Sequence, residues 1–173
     1  QVDDCSMINP LELTGRNILV TGASSGIGKA TAIVLSQLGA RLILVARNVH
    51  RLEETAQQLE GTGHRTEVFD LEQVEDIPKW MKNVAAEVGT LSAVVHCAGV
   101  HFVRPLRILG AAEFSDMMTS NVTSAMALAK GYRQKNVCHA EGRLVFISSV
   151  MGLVGQPGVA AYSASKGALI ALT

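Results

Sequence analysis

The chain lacks an excess of either charge: 15 basic and 15 acidic side chains cancel over 173 residues, and only 17% of residues are charged. Without a long-range field, nothing in the bulk electrostatics draws the protein onto nucleic acid or an anionic membrane, and neither is expected as a partner. Cysteine is sparse and odd in number. Cys5, Cys97 and Cys138 stand at wide spacings that suit neither a disulfide framework nor a zinc ribbon, which points to a reducing, cytoplasmic setting. No uninterrupted apolar run of about 18 residues exists, so no membrane span is expected. Residues 1–10 carry Asp3 and Asp4 where a secretory signal would be basic and then apolar. Residues 1–12 read as a tail, with Met7 a candidate native start. There is also no internal repeat, low-complexity tract or Gly/Ser/Pro linker, so residues 13–173 read as one domain.

What is present is apolar material, 48% of the chain, enough to bury a sizeable core. Its pattern alternates. Ile18, Leu19 and Val20 form a short run that ends in a glycine-rich turn, after which Ile27, Ala30, Val34 and Leu38 recur at helical spacing up to Gly39. Residues 42–46 are again continuously apolar, followed by Val49, Leu52, Ala56 and Leu59 at helical spacing. Val68 and Phe69 precede a helix through Trp80, Val84 and Val88. Residues 91–95 predict a fourth strand and 143–148 a fifth, separated by a long helical stretch from about Ala112. Strands apolar on both faces, separated by helix-length segments, require a parallel sheet covered on each side. The expected fold is a doubly wound, Rossmann-like α/β domain. The chain stops at Thr173 inside an amphipathic segment that begins near Ala160 and has no terminating signal, so the natural chain is expected to continue.

The first strand and first helix are joined by Thr21-Gly22-Ala23-Ser24-Ser25-Gly26-Ile27-Gly28. Glycines at this position let the backbone turn tightly and let a pyrophosphate approach free amides at a helix N-terminus. A Walker A loop is excluded by spacing: five residues separate Gly22 from Gly28, and Ala30 stands where a magnesium-binding hydroxyl is needed. Further along, Tyr162 and Lys166 are four apart on a predicted helix, so their side chains share a face. A free phenol has a pKa of about 10, and a neighbouring ammonium favours its ionised form. Ser149 stands thirteen residues ahead of Tyr162, at the end of the fifth predicted strand, the side on which parallel sheets bind ligands.

The glycine spacing, the Tyr162-x-x-x-Lys166 motif, Ser149 in Val145-Phe-Ile-Ser-Ser149 and Asn121 in Ser120-Asn-Val122 together resemble the short-chain dehydrogenase/reductase family. The flavour is that of bacterial 3-oxoacyl carrier-protein reductases and related carbonyl reductases. The resemblance implies hydride transfer between a nicotinamide and a carbonyl or alcohol, on a small-molecule or carrier-bound substrate. It implies Tyr162 as general acid, Ser149 as the group orienting the substrate oxygen, Lys166 as a contact to the nicotinamide ribose, and Asn121 as the support of a relay water through its backbone. Gly22, Ser24, Ser25, Gly26, Ile27 and Gly28 would hold the pyrophosphate end. Asp70 and Leu71 resemble the family's adenine-contacting pair, and Ala98 and Gly99 its small passage for the cofactor. It also implies further C-terminal strands and a homodimer or homotetramer. The helix near residues 121–130, with Val122, Met126 and Ala129, and the helix after Tyr162, with Ala168, Leu169 and Leu172, would build that assembly.

About 20 residues past the glycine turn, where an NAD enzyme places a carboxylate, the chain has Ala46-Arg47-Asn48. Arg47 can pair with a 2′-phosphate, so NADP (NADPH) is the expected cofactor. One departure from the family stands at the fourth strand's end, where its usual Asn-Asn-Ala-Gly is His96-Cys97-Ala98-Gly99. Adjacent residues of a strand face opposite ways, so His96 and Cys97 read as packing residues with no shared metal. Of the other histidines, only His101 is placed to face substrate. A catalytically silent dinucleotide-binding sensor or subunit is the alternative function. Such a protein has no physical need for the Tyr162–Lys166 pair beside Ser149.

Overall fold

The computed structural model describes residues 11–173. The tail reading of residues 1–10, with Met7 and Cys5, lies outside the described residues. Strands and helices alternate as β1 (Asn17–Thr21), α1 (Gly26–Gln37), β2 (Arg41–Ala46), α2 (Val49–Ala56), β3 (Arg65–Val68), α3 (Ile77–Val88) and β4 (Leu91–His96). They continue as α4 (Ala111–Met118), α5 (Ser124–Tyr132), β5 (Cys138–Phe146) and α6 (Ala160–Leu172). All strand pairs are parallel, in the order β3-β2-β1-β4-β5. The winding therefore reverses between β1 and β4, which leaves a crevice at their carboxyl ends. Thr21, the last residue of β1, is level with Val45 on one side and His96 on the other, so all three strands open onto it.

Side chains of the three central strands, β2, β1 and β4, are covered on both faces, as their continuous apolar runs require, whereas the edge strands β3 and β5 alternate between exposed and half-buried residues. Leu19, Ile43 and Val94 pack against Ile77 and Met81 of α3 and Leu128 and Tyr132 of α5. Their neighbours Ile18, Leu42 and Val95 pack on the other face, with Ala32 of α1 and Leu52 of α2. Each large side chain buried in these layers contributes about 1.5–3 kcal/mol.

Three local expectations are corrected. The inward face of α1 is Gly28, Ala32 and Ser36, while Ile27 and Val34 are 60% and 53% exposed. Small residues on that face let the helix backbone lie close to the sheet, a demand that outweighs the hydrophobicity of its neighbours. The long helix from about Ala112 is two helices, α4 and α5, joined by a π-helical turn over Thr119–Thr123 that buries Asn121. Finally, β5 begins five residues earlier and ends two earlier than expected. Its polar start follows from pairing with β4 across a bulge, with Leu91 against Cys138 and Ala93 against Arg143, and residues 139–142 carry no alternation that would announce it.

Candidate active site

At the crevice the surface opens into a cleft of roughly 480 Å³. Its floor and one wall are the turn residues Gly22, Ser24, Ser25, Gly26, Ile27 and Gly28. Arg47 from the end of β2, Asp70 and Leu71 after β3, and Ala98 and Gly99 after β4 complete it, so the structure brings these expected residues together. Gly22 has φ +65°, and a Cβ there would stand 2.8 Å from the Ala98 amide nitrogen. A Cβ at Gly28 would run into the Gly22 carbonyl. The turn therefore folds back on itself and on β4 as only glycine permits. Ser25 caps α1 without a side-chain hydrogen bond, and the first turn carries no acidic residue. The helix thus presents amides and a positive dipole end to the cleft, a cradle that fits a dinucleotide's pyrophosphate.

Thr21 ties the cleft floor together. Its Oγ accepts from the Ala98 amide at 3.2 Å and lies 2.8 Å from His96 Nδ1. His96 is 1% exposed, its ring edge-on to Phe146, and its Nε2 has no hydrogen-bond partner among the described residues. Burial, reinforced by the nearby Lys166 charge, pushes its pKa down to about 4. Cys97 packs on the opposite face with the α1 layer, and burial raises its thiol pKa. His96 is packed in the core, whereas Cys97 is half-buried and also lines the cleft.

The second cluster lies where β5 meets α6. Ser149 follows β5 and its Oγ accepts from the Met151 amide. Tyr162 and Lys166 lie four residues apart in α6, with the Lys166 Nζ 5.7 Å from the Tyr162 ring centroid. The ammonium donates to the Ile147 carbonyl at 2.7 Å, and the Ser148 hydroxyl donates to the Lys166 carbonyl, so α6 is fastened to the end of β5. Lys166 is 7% exposed, and burial lowers its pKa. Asn121 does a different job with its side chain. Its Oδ1 accepts from the Val100 amide, and its Nδ2 donates to the Val100 carbonyl and to Ser165 Oγ. It clamps the loop that carries Ala98 and Gly99 to the helix that carries Tyr162. With the side chain spent in this way, only its backbone is left for the role that the resemblance implies.

A family model described as short chain dehydrogenase matches residues 16–173. The chain belongs to the short-chain dehydrogenase family. Like other short-chain dehydrogenases of known sequence, it is similar to gluconate 5-dehydrogenase of Gluconobacter oxydans, 30% identical over 163 residues, covering 93% of this chain and 64% of that protein. It is 33% identical over 165 residues to a 3-oxoacyl-[acyl-carrier-protein] reductase of Vibrio cholerae, covering 94% of this chain and 66% of that one. A solved short chain dehydrogenase from Escherichia coli complexed with NADPH superimposes with a TM-score of 0.85 at 32% identity, over 92% of this chain and 69% of that one. The chain thus spans about two-thirds of the length of these relatives. Nicotinamide-dependent oxidoreduction is the chemistry of the family, and the Rossmann-like fold is the one expected.

Sequence reasoning missed Arg51, which lines the cleft from the first turn of α2. Its signal is the four-residue spacing from Arg47 across a helix start. It also missed Glu72, whose carboxylate lies 3.9 Å from Arg47, beside Asp70 at 4.0 Å. Both ion pairs are exposed and weak. Among the described residues no helix is long and apolar enough to cross a membrane.

Proposed function

We propose that the protein is an NADP-dependent carbonyl reductase or alcohol dehydrogenase, acting on a small-molecule or carrier-bound carbonyl such as a 3-oxoacyl thioester. The observation that carries this reading is Lys166. It is a buried ammonium with no carboxylate partner among the described residues, standing over the Tyr162 ring. Burying an unpaired charge is costly, and such groups cluster where chemistry needs them. A silent sensor has no need of a phenol beside that ammonium.

When bound, the nicotinamide cofactor supplies the hydride. The turn amides would hold its pyrophosphate, the Ser149 hydroxyl would hold the substrate oxygen, and Tyr162 would give that oxygen its proton. Lys166 would contact the ribose beside the Tyr162 ring, while Asn121 would support a relay water through its backbone. Asp70 and Leu71 would contact the adenine, and Ala98 and Gly99 would leave room for the cofactor to pass.

NADP preference rests on Arg47, which lines the cleft and would pair with a 2′-phosphate. A hydrogen bond to a charged group contributes roughly 1.5–3 kcal/mol, so NADPH should bind about 10- to 150-fold more tightly than NADH. Arg47→Ala is expected to erase most of that preference. Titration of both cofactors into wild type and variant measures it, and an equal loss for NADH and NADPH would remove Arg47 from this role.

A homodimer or homotetramer is proposed through α4, α5 and α6, where Phe114, Met126, Ile170 and Leu172 remain exposed. Leu169 drops out of the expected patch: it is 2% exposed and packs inward because α6 turns that face to the fold. Light scattering of the full-length protein at micromolar concentration should report more than one copy, and a monomer would refute the assembly. The free thiols of Cys97 and Cys138 suit the proposed cytoplasmic location.

A further inference from the structure

His101 stands where the loop after β4 passes the first turn of α6. Its ring meets the Tyr162 ring edge-on, with centroids 4.6 Å apart and planes at 89°. Among the described residues no hydrogen bond or ion pair claims either ring nitrogen, and the residue is exposed. The loop that carries it is pinned on both sides. Val100 is held through both its amide and its carbonyl by Asn121, and the Arg104 amide donates to the Gly158 carbonyl at 2.7 Å. The imidazole is therefore placed in advance of any ligand, without paying its ordering entropy at binding. An exposed polar group with unclaimed nitrogens, fixed beside the proton donor, is a hydrogen-bonding partner for the substrate itself.

We propose that His101 is a specificity-determining residue that selects carbonyl compounds bearing a second oxygen one or two carbons from the reacting one. The inference rests on the carbonyl reductase reading above. The cofactor's hydride forms the new C–H bond, the carbonyl π pair moves onto oxygen, and that oxygen takes the Tyr162 proton. The substrate gains two electrons and the nicotinamide loses them. The second oxygen accepts a hydrogen bond from His101 and is chemically unchanged. It fixes which carbonyl faces Tyr162.

The test compares kcat/KM of the full-length protein with NADPH for 2-pentanone, 3-hydroxy-2-butanone and ethyl acetoacetate. Wild type is expected to favour the two oxygenated compounds at least about 10-fold, through KM. His101→Phe keeps a ring against Tyr162 without a donor and should bring the ratio close to one. His101→Gln keeps a donor without a ring and should retain most of it. A His101→Phe variant that keeps the preference while His101→Gln loses it would assign His101 to packing on Tyr162 and overturn the proposal. Wild-type turnover at equal kcat/KM for all three overturns this inference alone. No NADPH oxidation with any of them overturns the reductase reading and this inference together.

Discussion

Replacing Tyr162 with Phe is expected to lower turnover of the full-length protein by at least about 100-fold, and toward 10,000-fold, the range that general acid catalysis supplies. The variant loses one oxygen and keeps the ring, so the edge contact with His101 and the position over Lys166 survive. Cofactor affinity should change little, because the glycine turn and the Arg47 end of the cleft lie on other elements. The loss should therefore appear in kcat, with the NADPH dissociation constant nearly unchanged. Steady-state rates together with cofactor titration decide it. Near-normal turnover would mean that the proton comes from elsewhere, and the catalytic assignment would fall.

Acid is expected to destabilise the fold through His96, and by a comparable free energy. Its folded pKa is about 4, against an ordinary value of 6.5, because the ring is buried and a cation is nearby. A depressed histidine pKa means that the unfolded chain takes up the proton first. The stability is thus fully present above pH 6.5 and is lost as pH falls from there through 4. The difference corresponds to about 3 kcal/mol, of which about 2 is gone by pH 5. Above pH 5 most carboxylates are still ionised, so that window isolates the histidine. Urea unfolding of wild type and His96→Asn at pH 7.5, 6 and 5 should show the wild type losing stability and the variant staying nearly flat. Parallel profiles would show that the buried imidazole is not the acid-sensitive group.

His96 also shows why part of the site was not legible in the chain. A strand sequence of Val95-His96-Cys97 shows that the two side chains diverge, and this holds. It cannot show that, among the described residues, Thr21, 75 residues earlier, supplies the only hydrogen-bond partner, nor that Nε2 is left without one there. Arg51 escaped for a related reason. Its helix and its four-residue distance from Arg47 were readable, but whether it faced the cleft depended on how α2 sits against β2.

What the sequence determined by itself was everything that local spacing encodes. Apolar runs buried on two faces dictated parallel strands and the α/β alternation. Gly22 and Gly28 dictated the tight turn, and the four-residue step from Tyr162 to Lys166 put both side chains on one helix face. Tertiary structure decided the rest. It chose Gly28, Ala32 and Ser36 over Ile27 and Val34 as the inward face of α1, because close approach to the sheet rewards small side chains more than apolar ones. It introduced the π-helical turn that buries Asn121, whose amide satisfies Val100 and Ser165 far away in the chain. It also set His101 against Tyr162. Burial, partnership and ring contact are sums over neighbours distant in sequence, and those neighbours are defined only once the sheet has closed.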